Sequence, residues 1–459
     1  GGDSGRAIVA LLLEKMRLER RHSGVWLASS FVVAAVAVSL AACVGDDPGV
    51  FVGGGGTDLT SDGGAADGAR DDGARDDDGT AGDGGDASTV TCDAPLEACG
   101  SACVDKQSSA QHCGRCDRAC GTGSSCSAGR CSTVTLVDQL DTPTALAVSP
   151  SVVVMSVKRG LVRCGKEGCS QGATRLWQSD EWQPVEGSLS LSPDGAHAFL
   201  LAKTTSASLP QDTNLYRATV DGTPPLIPAL HTNALSPAWV LGNSTRVATD
   251  AREHVFVSPY RNHRCFQASC SSVGILSNRE TPSSITLTPT HYAWTLHDHT
   301  GGATVQTCPR PPAGATGYDG AQDCGTPIGL APAITASFSG HITHHDNVVY
   351  WADWGRDGGA TARVLACAPT GCNGAPKVIA TAEQVIDGLV VDATGAYWTN
   401  GSIGTVRVCR DLVAGCGTKA ETLASGATNP GPIGIDDTNV YYVARGATPT
   451  AGALLKVAK

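Results

Sequence analysis

Residues 385–425 read VIDGLVVDATGAYWTNGSIGTVRVCRDLVAGCGTKAETLAS. Four short apolar runs, GLVVD, AYWT, VRVC and ETLA, are separated by turn residues such as Gly, Asn and Asp. Runs this short, rich in β-branched and aromatic residues and bounded by turn formers, predict four antiparallel strands rather than helices. The same pattern recurs from Thr133 onward. First strands are expected at 145–149, 188–192, 238–241, 284–288, 341–345, 388–392 and 433–437, a spacing suited to four-stranded repeats. The aromatics Tyr292/Trp294, Tyr350/Trp351, Tyr397/Trp398 and Tyr441/Tyr442 mark second strands.

The last unit ends at Lys459 without a fourth strand, and one spare strand, Val134–Leu140, precedes the first unit. If the spare strand completes the last sheet, the chain closes on itself and hides the sheet edges that invite aggregation. The fold expected for 132–459 is therefore an all-β, seven-bladed β-propeller. Six blades is the alternative if the divergent unit at 186–230 is not a blade. Tyr350-Trp351-Ala352-Asp353 and Tyr397-Trp398-Thr399-Asn400 resemble the YWTD repeats of lipoprotein-receptor propellers, whose rings have six blades. The whole unit, with a cysteine pair after its third strand, resembles the propeller lipoproteins of myxobacteria.

The chain has 19 cysteines. Five close pairs, Cys164/Cys169, Cys265/Cys270, Cys308/Cys324, Cys367/Cys372 and Cys409/Cys416, fall where a third strand turns into a fourth. A bridge there would pin a hairpin. Eight more, Cys92, Cys99, Cys103, Cys113, Cys116, Cys120, Cys126 and Cys131, crowd into residues 92–131. That stretch has too few apolar residues for a core, so cross-links must stabilise it. Only Cys113 and Cys116 form C-x2-C, whereas a zinc ribbon needs two such pairs, so four disulfides are expected, of undetermined connectivity. Residues 103–131, CVDKQSSAQHCGRCDRACGTGSSCSAGRC, resemble the cysteine-rich module of the plant stigma-specific protein family. The resemblance implies a small extracellular interaction module and no reaction.

Met16 opens a basic segment followed by an uncharged apolar run to Ala42, and Leu40-Ala41-Ala42-Cys43 resembles a bacterial lipobox. Residues 1–15 read as an over-extended start and 16–42 as a lipoprotein signal peptide; an ordinary cleaved signal and an uncleaved anchor are the alternatives. The resemblance implies acylation of Cys43, hence attachment to a membrane, expected to be the outer membrane or cell surface of a Gram-negative bacterium. From 43 to 91 the chain is expected to be a disordered, lipid-anchored Gly/Asp linker. Net charge is −11, and residues 45–91, with twelve Asp and two Arg, supply −10 of it. No basic cluster suits nucleic acid.

Gly168-Cys169-Ser170-Gln171-Gly172 matches G-x-S-x-G. It lies in an expected β-hairpin, where a nucleophile elbow needs a strand-to-helix turn. His297, Asp298 and His299 after a second strand, His341 at the start of an inner strand, and Asp353 and Trp354 after the next second strand are expected on one rim. His-x-His with a third His and a carboxylate is a divalent-metal or ligand pattern; no other cofactor is expected. His344 is expected in a core slot toward the opposite face. The expected function is binding or scaffolding by a surface lipoprotein, with a protein or carbohydrate ligand. The alternatives are a propeller lyase, lactonase or dehydrogenase, and a structural wall or matrix protein. A propeller enzyme needs inward His, Glu or Asp from several blades, and carboxylates look sparse in the inner strands.

Overall fold

Each turn-punctuated unit folds as an up-and-down antiparallel sheet, because mostly short connections lead each strand straight back beside the one before it. A computed structural model describes residues 90–459 apart from 206–212, 223–226, 231–245, 259–260, 267–273, 278–280, 298–301, 312–325, 331–333, 336–338 and 355–361. Among the described residues there are seven such sheets, each with at least four strands. Their inner strands are Ala145–Val148, Trp182–Leu191, Val247–Thr249, Thr281–Leu287, Ser339–His345, Ile386–Asp392 and Pro430–Ile435. Each inner strand lies beside the next, and that of blade 7 lies beside that of blade 1, so the sheets form a closed seven-bladed propeller.

Val134–Leu140 is the fourth strand of blade 7, paired antiparallel with Gly452–Ala458. The ring is closed by strands from opposite ends of the repeat region, and the edge of Gly452–Ala458 is covered. The divergent unit is a complete sheet, beginning at Trp182–Leu191 and ending at Ile227–Leu230, which makes seven blades rather than six. Unit three needs a correction. The run expected as its first strand, 238–241, lies outside the described residues, and the sheet instead begins with Val247–Thr249. In that strand Val247 lies opposite Phe256 and Thr249 opposite His254.

The aromatic pairs fill the gaps between blades. Trp351 packs with Ala293 and Val305 of blade 4. Trp398 packs with Ala352, Val364 and Ile379 of blade 5, and its indole N–H donates to Glu383 at 3.2 Å. Tyr397, one residue earlier, faces the other way onto Tyr442 and Val440 of blade 7. Neighbouring residues of a strand point to opposite faces, so one Tyr-Trp dipeptide glues a blade to both neighbours.

Disulfides Cys164–Cys169, Cys367–Cys372 and Cys409–Cys416 pin outer hairpins of blades 1, 5 and 6. Cys308 is also disulfide-bonded; Cys324 and Cys270 lie outside the described residues. The eight-cysteine module is joined as Cys92–Cys103, Cys99–Cys116, Cys113–Cys126 and Cys120–Cys131. Cys113, Cys120 and Cys131 come close together, but each sulfur is committed to a disulfide and offers no thiolate to a metal. The module sits on blades 6 and 7. Its Cys113, Cys120 and Cys131 pack on Ala458. The buried Arg118 donates to the main-chain carbonyls of Lys459 (3.0 Å) and Ala458 (3.2 Å) and ion-pairs Glu421 at 3.2 Å.

Candidate functional site

The inner strands run along the axis, so residues at equivalent positions of the seven blades meet there. One such position holds Leu146, Leu189, Val247, Ile285, Ile342, Leu389 and Ile433, which line a common axial cavity of about 400 Å³. An aliphatic side chain from every blade forms a ring inside a funnel. Ionisable side chains sit around it, at the end where the inner strands begin: Glu186 of blade 2, Arg246 before blade 3, His341 of blade 5, Asp387 of blade 6, and Arg445 after the second strand of blade 7.

A local irregularity puts them there. The inner strand loses register with its neighbour between Pro184 and Leu189, between Pro282 and Ser284, between Ser339 and Ile342, between Ile386 and Gly388, and between Pro430 and Ile433. Bulges re-aim side chains that regular pleating would place between blades. Glu186, His341 and Asp387 lie within three of them. Two glycines give the arginines room. Gly187, at φ +71°, lies against the Arg246 guanidinium, and a β-carbon at Gly187 would land on Nη1. A β-carbon at Gly431 would come 2.9 Å from Nε of Arg445. Any larger residue at these positions would displace the guanidinium.

Glu186 accepts from both arginines. Its carboxylate takes Arg445 at 3.2 Å, and its main-chain carbonyl takes Nη1 of Arg246 at 3.1 Å. Nε of Arg445 is buried without a partner. Asp387 accepts the Gly401 amide at 2.7 Å. Burial raises its carboxyl above the usual range, against that amide and the Arg445 charge. His341 is pushed down to about 3, first by burial and then by Arg246 and Arg445. It is therefore neutral at physiological pH, in a positive local field. Arg246 is pulled down by burial and by Arg445, with Glu186 opposing.

The residues singled out from sequence separate. His341 and Trp354 both reach the funnel, and the Trp354 indole donates to the Ile386 carbonyl at 3.0 Å. Asp353 is buried and ion-paired with Arg363. It ends the second strand of blade 5 as Asn400 ends that of blade 6, and Asn400 is likewise buried, donating to the Gln384 carbonyl at 3.0 Å. The fourth residue of the YWTD-like motif is thus a strand-end anchor. His297 ends its strand, His291–His297, while Asp298 and His299 lie outside the described residues. His344 is half-buried rather than in a core slot, with Nδ1 2.9 Å from the Thr286 hydroxyl. The G-x-S-x-G stretch forms a turn closed by Cys164–Cys169, followed by the strand Thr174–Gln178 and no helix.

The inner strands do carry funnel-facing carboxylates, which corrects the expectation that they are sparse there. Glu186 and Asp387 have a shared signal: an acid followed by glycine (Glu186-Gly187, Asp387-Gly388) just ahead of the apolar inner run. Arg445 stands where Trp354 stands in blade 5, directly after the second strand. Arg246 escaped notice because unit three was registered on residues 238–241.

No protein-family model matches the chain, and no curated protein matches it. Among solved structures, it is similar to the Cps50 (Swd1) β-propeller domain of Myceliophteria thermophila, with 9% identity over 71% of this chain and 98% of that one and a TM-score of 0.47. It is also similar to PorZ, a bacterial surface component of the type-IX secretion system of Porphyromonas gingivalis, with 12% identity over 71% of this chain and 39% of that one and a TM-score of 0.46. A third is from a nidogen/laminin complex, with 12% identity, 60% and 92% coverage and a TM-score of 0.40. At these levels the function rests on the chain's own side chains.

Proposed function

We propose that this is an exported, lipid-anchored binding protein that uses the axial funnel of its propeller as the binding site. The observation that carries the binding reading is the funnel itself: an aliphatic ring with a rim of fixed charges, contributed by blades far apart in sequence. Export is supported by the disulfides of the module and blade hairpins, which form in oxidising compartments. Anchoring rests on the lipobox-like Leu40-Ala41-Ala42-Cys43 and on the acidic segment after it, which would hold the propeller away from the membrane.

Two measurements test it. Mass spectrometry of the mature N-terminus should find Cys43 acylated; an unmodified Cys43 or a retained Met16 contradicts the anchor. Filling the funnel with Leu389→Trp should abolish fragment binding detected by ligand-observed NMR, and unchanged binding sinks the funnel as the site. A second reading, a propeller enzyme, is favoured by one observation: Glu186, His341 and Asp387 converge from three blades. It predicts turnover of lactone or uronate substrates that His341→Ala removes while the protein stays folded.

A further inference from the structure

The funnel has a polarity that narrows what it accepts. Two guanidinium groups, Arg246 and Arg445, stand on its rim, and their closest acceptors both belong to Glu186. One of those acceptors is a neutral carbonyl. Asp387, the other acid, is directed onto the Gly401 amide. Nε of Arg445 keeps a hydrogen with no acceptor. Both guanidinium groups line the cavity, and an oxyanion there could take charge-assisted hydrogen bonds from them. Below the rim the lining turns to the aliphatic ring, which has no hydrogen bonds to offer.

We propose that the funnel takes a small organic anion, its carboxylate held by Arg246 and Arg445 and its compact aliphatic body seated on the ring. This rests on the funnel being a binding site. A cation is disfavoured beside two guanidinium groups. A phosphate dianion would face Glu186 and Asp387 at close range, whereas a monoanion meets less of that repulsion. A cavity of about 400 Å³ holds a compact molecule, not a polymer chain. Trp354, fixed by its bond to Ile386, would border the bound molecule.

The test is a series of probes of matched body and different charge, titrated calorimetrically into the purified protein: hexanoate, hexanol, hexylammonium and inorganic phosphate. Hexanoate should bind at least ten-fold more tightly than the other three and weaken as salt is added. Arg445→Gln and Arg246→Gln should each weaken hexanoate at least ten-fold and leave hexanol unchanged. The probe series on the unsubstituted protein needs no variant to fold. If hexanol or hexylammonium matches hexanoate, or phosphate exceeds it, the organic-anion assignment is overturned while the funnel stands as a binding site. If no probe binds, both the assignment and the funnel reading fall.

Discussion

Single buried or half-buried residues in this protein have their charge state set by their surroundings. His254 is buried, tilted against Phe199 with ring centres 4.3 Å apart, and its Nδ1 lies 3.0 Å from the Thr249 hydroxyl. Burial is the largest effect and lowers it to about 4. His341 is lowered to about 3. A histidine held neutral in the fold binds its proton more readily when unfolded. Its stabilising contribution is therefore complete above the unfolded value near 6.5 and is lost as pH falls from there toward 4. Urea unfolding should show stability dropping by a few kcal/mol (roughly 3 from His254 alone) between pH 6.5 and 4. His254→Gln should flatten the profile, and an already flat wild-type profile contradicts the assignment. Asp436 acts further down the scale. Burial opposes its ionisation, yet Lys166 at 2.8 Å, the Thr438 and Asn439 amides and the Tyr441 hydroxyl bring it to about 2. Its share is present above about pH 4 and disappears only as pH falls toward 2.

At the scale of elements, the outer hairpins and the module are held by different means. Cys409–Cys416 closes a short loop on a strand pair that is already hydrogen-bonded. Replacing both cysteines by alanine should cost about 2 kcal/mol by the loop-entropy argument, read as a lower midpoint in denaturant with the fold unchanged. The module is docked by Arg118 and Arg115 and by the cysteines packed on Ala458. Arg118→Ala removes the donor to the Ala458 carbonyl and leaves the Lys459 carbonyl to Arg115 and Glu421 to Arg410, and should cost about 2 kcal/mol in the same assay. A cost below about 0.5 kcal/mol would show that the module sits on the blades without stabilising them. The inner strands show what a pattern read at period two leaves out. Their apolar residues were legible, and so was the strand itself. The bulge ahead of five of these runs was not, because a bulge changes which face a residue occupies without changing the composition around it. Asp387 thus drew no notice ahead of the expected strand and Asp353 read as a rim ligand, and the structure places the first in the funnel and the second in an ion pair.

For the whole molecule, ring closure is the decisive contact. Val137 is buried opposite Leu454 in the strand that completes blade 7. Val137→Asp puts a charge into that seam and should cost several kcal/mol, on the order of 3–5. It should also free the edge of Gly452–Ala458, so that light scattering detects association at concentrations where the wild type stays monodisperse. A destabilised but still monodisperse variant would argue that the ring survives without this strand.

The chain itself determined the four-stranded repeat, the positions of the hairpin cysteines and the aromatic pairs of the second strands. All of these follow from patterns within about fifty residues, where turn chemistry and alternation act directly on neighbouring backbone. Only the tertiary structure decided the cysteine pairing of the module, the register of blade 3, and the company kept by Glu186, Arg246, His341, Asp387 and Arg445. Those residues belong to five different blades and meet only because the sheets close around an axis. No local pattern encodes a meeting point that exists only after the last blade has joined the first.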